Sequence, residues 1–194
     1  MSAKQLTRET KETSISASLE IYGSGKHEID TGIGFFTHML ESFSKHALFD
    51  VALSCKGDLA VDFHHSVEDC GIVLGTLLKQ SIYPVEKIER FGHGVVVMDE
   101  ACVECALDIS NRAFLVFDMG ESYVGKVGEF DVELVEEWFR AACFNAHISA
   151  HVVLKRGKNL HHITEAAFKA FALALRRALA PNERVAVPST KGCL

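Results

Sequence analysis

Two segments of the chain have similar sequences, HHSVEDCGIVLGTLLKQSI at 64–82 and HHITEAAFKAFALALRRAL at 161–179. Each begins with His-His-x-x-Glu and continues with apolar residues three and four positions apart, which is the spacing of an amphipathic helix. A turn containing Gly57 precedes the first stretch, and a turn containing Gly157 precedes the second. The repeated pattern predicts two corresponding helices in two similar halves of the chain.

The remaining elements are predicted outward from these two helices. In the first half, strands are predicted at about 15–22, 26–30, 48–55 and 59–62, with a helix at about 34–47. In the second half, strands are predicted at about 94–98, 101–109, 113–118 and 149–155, with a loop at 120–129 and a helix at about 131–147. The common order of elements predicts a single catalytic domain, 1–194, made of two repeats at about 8–92 and 93–194.

The composition excludes several classes of protein. The chain has 194 residues, of which 48% are hydrophobic, enough for a packed core. Its net charge of −6 argues against nucleic acid or an anionic membrane as a partner, since both need a basic face. No apolar run reaches the roughly 18–20 residues of a membrane span. The N-terminus lacks an apolar signal core, so we expect a cytoplasmic protein with its six cysteines reduced. Cys102 and Cys105 form a lone CxxC that we interpret as ordinary strand residues.

The histidine pairs point to metal ions. Positions i and i+4 share one face of a helix, so His64 can converge with Glu68, and His161 with Glu165. His65 and His162 are rotated about the helix axis by about 100° from the preceding histidines. The two imidazoles of one pair can therefore bind two different ions, or bridge between chains, more easily than they can bind a single ion. Imidazole and carboxylate together suit manganese, iron, cobalt or zinc. The alternative is a pair of ordinary helix N-termini, each with a capping carboxylate, which is less favoured because the motif occurs twice.

Two residues further upstream extend the comparison of the halves. His38 lies on the helix that precedes the first motif, and Glu137 lies at the corresponding place before the second. We therefore take both as candidate ligands. The other five histidines are interpreted as non-ligands: His27, His46, His93, His147 and His151.

A few basic and hydroxyl residues could form an anion site. The tail carries Ser189, Thr190 and Lys191, which offer donors to a phosphate or carboxylate. Lys169 shares a helix face with Glu165, and Arg90 and Arg112 lie beside turns. These three residues are candidates together with the tail. Ordinary solvated charges and a frayed tail are the alternative that the residues leave open.

Four strings together resemble the imidazoleglycerol-phosphate dehydratase family: TGIGFFTHML at 31–40, GDLAVDFHHSVEDCGIVLG at 57–75, MDEA at 98–101, and GKNLHHITEAAFKAFALALRRAL with VPSTKG near the end. The resemblance covers the chain from about Arg8 onward. It implies an α/β (α+β) fold of two βαβ-type halves with helices on one face of each sheet, like ribosomal S5 domain 2. It also implies a hydro-lyase of L-histidine biosynthesis acting on D-erythro-1-(imidazol-4-yl)glycerol 3-phosphate, with two manganese ions (Mn²⁺) per site. Trimers would assemble into a 24-mer, with sites shared between neighbouring chains.

The resemblance also implies roles for individual residues. One ion would be held by His38, His65, His161 and Glu165, and the second by His64, Glu68, His162 and Glu137. Substrate contacts would come from Glu12, Arg90, Arg112, Lys169, Ser189, Thr190 and Lys191. The candidate acids or bases are Glu12, Glu68 and Glu165. The chain departs from the family's usual residues at Glu137, where His is common, at Thr37, where Asp is common, and in Ser110-Asn111-Arg112-Ala113, which replaces Ser-Gly-Arg-Pro.

Two other functions are compatible with the residues. A two-metal hydrolase or phosphatase would need ligands dominated by Asp together with a base that activates water, and neither stands out beside the histidine pairs. A metal-binding cage protein without enzymatic activity would place the histidines at contacts between chains. Turnover of imidazoleglycerol phosphate in the presence of manganese separates the three.

Overall fold

The computed structural model of the protein describes residues 3–194. The first half contains β1 (Lys4–Glu9), β2 (Thr13–Glu20), β3 (His27–Asp30), α1 (Gly34–Ala47), β4 (Asp50–Gly57) and α2 (His64–Ile82). The second half contains β5 (Phe91–Met98), β6 (Ala101–Asp108), β7 (Phe114–Asp118), β8 (Lys126–Val127), β9 (Phe130–Asp131), α3 (Glu133–Ala146), β10 (Ser149–Arg156) and α4 (Leu160–Ala178).

The two halves build two four-stranded sheets of one topology. The first sheet has the order β1-β2-β4-β3 and the second the order β5-β6-β10-β7. In each sheet the last pair is parallel and the other pairs are antiparallel. Helices α1 and α3 both have 14 residues, and α2 and α4 both have 19. The order of elements therefore matches between the halves, while the division at 92/93 stays a prediction.

The helices lie between the two sheets. Strand β2 buries Ile15, Ala17 and Leu19 and turns Ser14 and Ser16 to solvent, the alternation of a sheet covered on one face. Helix α2 packs on the first sheet and α4 on the second, while α1 contacts α4 and α3 contacts α2. This arrangement confirms the predicted α/β class with helices on one face of each sheet.

Aromatic rings fill the centre where helices of both halves meet. Trp138 of α3 lies 4.7 Å from Phe168 of α4 and 5.7 Å from Phe43 of α1, measured between ring centroids. Phe171 of α4 stacks on Phe43 at 6.0 Å. All four side chains are almost completely buried. Helices α2 and α4, which carry the histidine motifs at their N-terminal ends, therefore pack into one common core.

Three sequence predictions need correction or extension. The strand predicted at 59–62 is wrong, because these residues form a turn in which the Val61 N–H donates to the Asp58 carbonyl at 2.8 Å. Strand β1 was not predicted, and the loop at 120–129 contains β8. The remaining boundaries differ by at most three residues from those predicted. Cys102 and Cys105 lie in β6 as predicted. Within residues 3–194, no helix is long and apolar enough to cross a membrane.

Candidate metal-binding active site

Both histidine motifs begin helices whose first backbone N–H groups are capped. The Asp62 carboxylate accepts the N–H of His64 at 2.8 Å, at the start of α2. At the start of α4, the Asn159 side chain accepts the N–H of His161 at 2.9 Å and that of His162 at 3.4 Å. Capping satisfies backbone donors that the helix leaves free.

The structure brings together three of the four ligands predicted for the first metal ion. The Glu165 Oε2 lies 3.1 Å from His161 Nε2 and 3.5 Å from His38 Nε2. One candidate ligand atom from each of these residues lies within 4.8 Å of the others. His38 reaches the cluster because α1 packs against α4. The fourth predicted ligand, His65, is not part of this cluster.

The charge of Glu165 is compensated inside the fold. Its side chain is only 8% exposed, and Lys169 Nζ lies 2.6 Å from its Oε1. Burial raises the pKa of Glu165, but the hydrogen bond and charge of Lys169, together with His38 and His161, outweigh it and hold this pKa below its usual value. The residue is therefore an ionised carboxylate beside two imidazoles. Such a donor set fits a divalent first-row metal ion.

The second metal position is less complete within one chain. His64 Nε2 lies 3.9 Å from Glu68 Oε2, as the i, i+4 spacing predicts. Glu137 is the fifth residue of α3, as His38 is of α1, but its carboxylate lies 3.7 Å from Arg140 Nε. Over residues 3–194, only the His38 cluster brings three possible ligands this close. His162 and Glu137 thus do not join His64 and Glu68 here.

The second histidine of each pair is held by a carboxylate that the sequence analysis did not assign. His65 Nδ1 lies 3.0 Å from Asp58 Oδ2, and His162 Nδ1 lies 2.7 Å from Glu100 Oε2. These hydrogen bonds raise the pKa of both histidines. The bond with His162, followed by the Asn159 N–H, lowers the pKa of Glu100 to about 2. A carboxylate on Nδ1 orients a ring and directs Nε2 outward as the metal-binding nitrogen.

Glu12 lies beside the first histidine pair. It sits in the β1–β2 hairpin, where its Oε2 is 3.8 Å from His65 Nε2 and its side chain is 53% exposed. Glu12 is therefore placed where a bound small molecule can reach it.

A separate cavity of about 460 Å³ collects five of the predicted substrate contacts. It is lined by Arg90, Arg112, Ser189, Thr190 and Lys191, among others. Asp108 already binds the Arg90 guanidinium through two hydrogen bonds, of 2.7 and 3.1 Å. The Arg112 side chain is 66% exposed, with its Nη2 3.7 Å from Asp108 Oδ2 and its Nη1 donating to the Ser110 carbonyl at 3.3 Å. Lys169, in contrast, lies at the metal cluster.

The fold and site together define an α/β protein with a histidine–carboxylate cluster that could hold a metal ion and a cavity lined by basic and hydroxyl side chains. A model of the family "Imidazoleglycerol-phosphate dehydratase" matches residues 31–175. Proteins of that name from Campylobacter hominis and Wolinella succinogenes are 70% and 66% identical to the chain. The alignments cover 96% and 98% of this chain, and 97% and 100% of those proteins.

Two solved structures agree with these relatives. The imidazoleglycerol-phosphate dehydratase of Staphylococcus aureus is 38% identical with a TM-score of 0.83, covering 93% of this chain and 100% of its own. The Pyrococcus furiosus enzyme is 36% identical with a TM-score of 0.83, covering 97% and 100%. The chain belongs to the imidazoleglycerol-phosphate dehydratase family, whose members are hydro-lyases of histidine biosynthesis.

Proposed function

We propose that this chain converts D-erythro-1-(imidazol-4-yl)glycerol 3-phosphate into 3-(imidazol-4-yl)-2-oxopropyl phosphate and water with the help of two Mn²⁺ ions. Membership of the family supports the reaction and its place in histidine biosynthesis. The observation that carries the metal dependence is the cluster of His38, His161 and Glu165. A two-metal hydrolase would need ligands dominated by Asp, whereas this cluster consists of two histidines and a glutamate.

The proposed ligands fall into two sets. His38, His161 and Glu165 would hold one ion together with His65, while His64, Glu68, His162 and Glu137 would hold the other. Bound divalent ions supply Lewis acidity, which stabilises negative charge on an imidazole ring. Asp58 and Glu100 would present the Nε2 atoms of His65 and His162 for this purpose.

The proton transfers need a carboxylate that is free to react. The proton to be removed is on a carbon beside the imidazole and is only weakly acidic, and hydroxide is a poor leaving group. Glu165 is a poor base because Lys169 stabilises its anionic form. Glu12 is exposed, lies next to His65 and is the best placed of the three candidates. A positioned acid or base of this kind contributes about 10²–10⁴-fold.

The phosphate would be held in the basic cavity. Arg112 and Lys191 supply charge there, and Ser189 and Thr190 supply hydroxyl donors. Arg90, already fixed by Asp108, would keep the shape of the cavity's wall. Anchoring the phosphate fixes the position of the ring, and fixed geometry can itself lower the barrier by several kcal/mol.

Other copies of this chain would complete each site. One chain brings together three ligands of the first set and only two of the second. The outer face of the second sheet exposes four large apolar side chains: Phe91, Val95, Val97 and Phe114. Phe91, Val95 and Val97 alternate along β5 on this face, and exposed apolar side chains grouped in this way are typical of a protein interface. Both observations support assembly into trimers and a 24-mer, and the six free thiols support a reducing, cytoplasmic location.

Direct assay of the purified chain tests the proposal. Protein loaded with Mn²⁺ is incubated with the substrate, and the enolate absorbance of the product is followed. We expect turnover that disappears after chelation and returns with Mn²⁺. Release of inorganic phosphate instead would indicate a hydrolase, and metal binding without any product would indicate a metal-binding cage protein.

The role of Glu12 is tested by substituting Gln, which keeps the shape of the side chain but removes the base. We expect kcat to fall by at least about 10²-fold with metal still bound. Glu9→Gln, at the exposed end of β1, is the matched control and should retain kcat. Unchanged turnover of the metal-loaded Glu12→Gln protein would show that Glu12 transfers no proton.

A further inference from the structure

A buried polar network lies directly behind Glu12 and has no role in the functions described above. Asp69 is 6% exposed and follows the proposed ligand Glu68 on α2. Its Oδ1 accepts a hydrogen bond from Arg8 Nε at 3.0 Å, and its Oδ2 accepts one from the Thr13 hydroxyl at 2.5 Å. The network thus ties the β1–β2 hairpin to the helix that carries the first histidine pair.

The backbone of Glu12 is fixed within that hairpin. The Thr10 hydroxyl accepts the N–H of Glu12 at 3.1 Å and the N–H of Thr13 at 2.9 Å. The Glu12 carbonyl accepts the N–H of Asp58 at 3.0 Å. Since the neighbouring Thr13 is in turn bound to Asp69, the main chain at Glu12 is connected to α2 through Thr13.

The second half of the molecule provides an internal comparison. Thr13 is the first residue of β2, and Ala101 is the first residue of β6. Asp69 follows Glu68, and Ala166 follows Glu165 in the corresponding motif. Both alanines are fully buried. The same packing therefore works with two methyl groups, so the fold does not require a threonine–aspartate pair at these positions.

Burying a carboxylate is costly even when it is paired, so the polar pair in the first half needs another explanation. The glutamates in the two hairpins differ in how their carboxylates are bound. Glu100, the counterpart of Glu12, is immobilised through its own carboxylate, which bonds His162 Nδ1 and accepts the N–H groups of Lys158 and Asn159. In the part of the chain that the structure describes, the Glu12 carboxylate makes only the 3.8 Å approach to His65.

We propose that Arg8, Thr13 and Asp69 are positioning residues that hold Glu12 at the reacting centre from behind. Since the Glu12 carboxylate accepts no hydrogen bond from residues 3–194, its position is set through the main chain. This inference rests on the proposed proton transfer by Glu12. Loss of the network lets Glu12 move relative to His65, and small displacements of an acid or base cost about ten- to a hundredfold in rate.

The test uses the double variant Thr13→Ala/Asp69→Ala, which gives positions 13 and 69 the alanines found at 101 and 166 and is therefore expected to fold, with Arg8 turned to solvent. We expect kcat to fall about tenfold or more, while KM and the Mn²⁺ content stay at the wild-type values. The single variant Thr13→Ser keeps the hydroxyl and should have the wild-type kcat. Should the double variant fail to fold, the isosteric Thr13→Val carries the same test.

A mutant cycle that combines Thr13→Ala/Asp69→Ala with Glu12→Gln separates this inference from the role of Glu12 itself. If the network acts through Glu12, the triple variant has the same kcat as Glu12→Gln alone. The inference would be overturned if the kcat of the triple variant were below that of Glu12→Gln by the same factor that separates the double variant from the wild type. A double variant with wild-type kcat, or one that changes only KM or the metal content, would also overturn it. Wild-type kcat in Glu12→Gln would overturn both the role of Glu12 and the inference.

Discussion

Glu137 occupies the place in α3 that His38 occupies in α1, and this equivalence is the reason to expect it at the second metal position. Its carboxylate faces Arg140 in the isolated chain, so the equivalence needs a direct test. We expect Glu137→Ala to lose about one of the two Mn²⁺ ions per chain, because one of four proposed ligands is removed. Metal analysis of the dialysed protein beside the wild type measures this.

Glu136 provides the control for that experiment. It is the neighbouring glutamate on α3 and pairs with the same Arg140. Glu136→Ala should retain both ions, because the residue has no place in either proposed ligand set. Two ions in Glu137→Ala would remove Glu137 from the ligand set and leave His64, Glu68 and His162 to hold the second ion.

Asp50 gives the fold a pH-dependent contact away from the site. Its Oδ1 accepts the N–H groups of Ser24 and Lys26 at 2.7 and 2.9 Å, which closes the turn before β3. These backbone hydrogen bonds lower the pKa of Asp50. A lowered pKa in the folded state means that the stabilisation is present above the unfolded pKa, about 3.9, and is lost as pH falls through the folded value.

We therefore expect Asp50→Ala to lower the free energy of unfolding by about 1 kcal/mol near pH 7. The difference from the wild type should shrink as the pH falls below about 4, where the unfolded-state group begins to take up its proton. Denaturant unfolding at a series of pH values measures it. Glu129→Ala, in the exposed β8–β9 turn, should show no such difference. A difference in Asp50→Ala that stays constant down to pH 2 would contradict this reading.

The pairing of α2 with α3 depends on close approach of their backbones. A Cβ added at Gly75 would lie 2.5 Å from the carbonyl oxygen of Ala142. Overpacking of this kind costs about 1–3 kcal/mol, whereas Ala gains about 0.8–1.0 kcal/mol over Gly in a helix. The clash is with backbone, which cannot rotate away, so the loss exceeds the gain.

Gly75→Ala should therefore lower the melting temperature, by about 2–4 °C for each kcal/mol lost. Gly34→Ala is the matched control, because Gly34 begins α1 and a Cβ there would meet nothing within 4 Å. Calorimetry or circular dichroism of the two variants measures the difference. Equal melting temperatures for both would show that α2 and α3 separate at little cost.

The elements that sequence predicted well are those with long periodic patterns. Helix α2 was predicted to the residue because apolar periodicity runs through all of 64–82 and Pro84 follows. Strand β1 was missed because its sequence, KQLTRE, is polar and forms an edge strand that pairs only with β2. At 59–62 a short alternation resembled a strand, but Val61 is 69% exposed and no strand pairs with it among residues 3–194.

For the candidate site, contacts within one helix were predictable, but the contacts between helices and turns were not. Helical spacing alone places Glu165 beside His161, whereas the approach of His38 depends on how α1 packs against α4. The carboxylates on His65 and His162 were missed because both lie in turns, whose side-chain directions periodicity does not predict. Asp58 lies in the turn just before α2, seven residues from His65, whereas Glu100 lies in the β5–β6 turn, 62 residues from His162.

At the scale of the whole molecule, the two sheets differ on their outer faces. The first sheet exposes hydroxyl side chains such as Ser14 and Ser16, while the second exposes Val95 and Val97 with Phe91 beside them. Both sheets have the same topology, so the difference lies in the surfaces alone. An apolar outer face on one sheet is what self-assembly through that sheet would require.

We therefore expect Val95→Glu/Val97→Glu to dissociate the assembly into smaller species, because two unpaired carboxylates cannot be buried at an interface without a cost of several kcal/mol. Ser14→Glu/Ser16→Glu places the same charges on the first sheet and should leave the assembly intact. Light scattering gives the mass of each variant, and the dehydratase assay gives its activity. If neighbouring chains complete the metal sites, activity falls together with mass. Full activity in a dissociated chain would mean that one chain holds a complete site, and an unchanged mass would exclude this face from the interface.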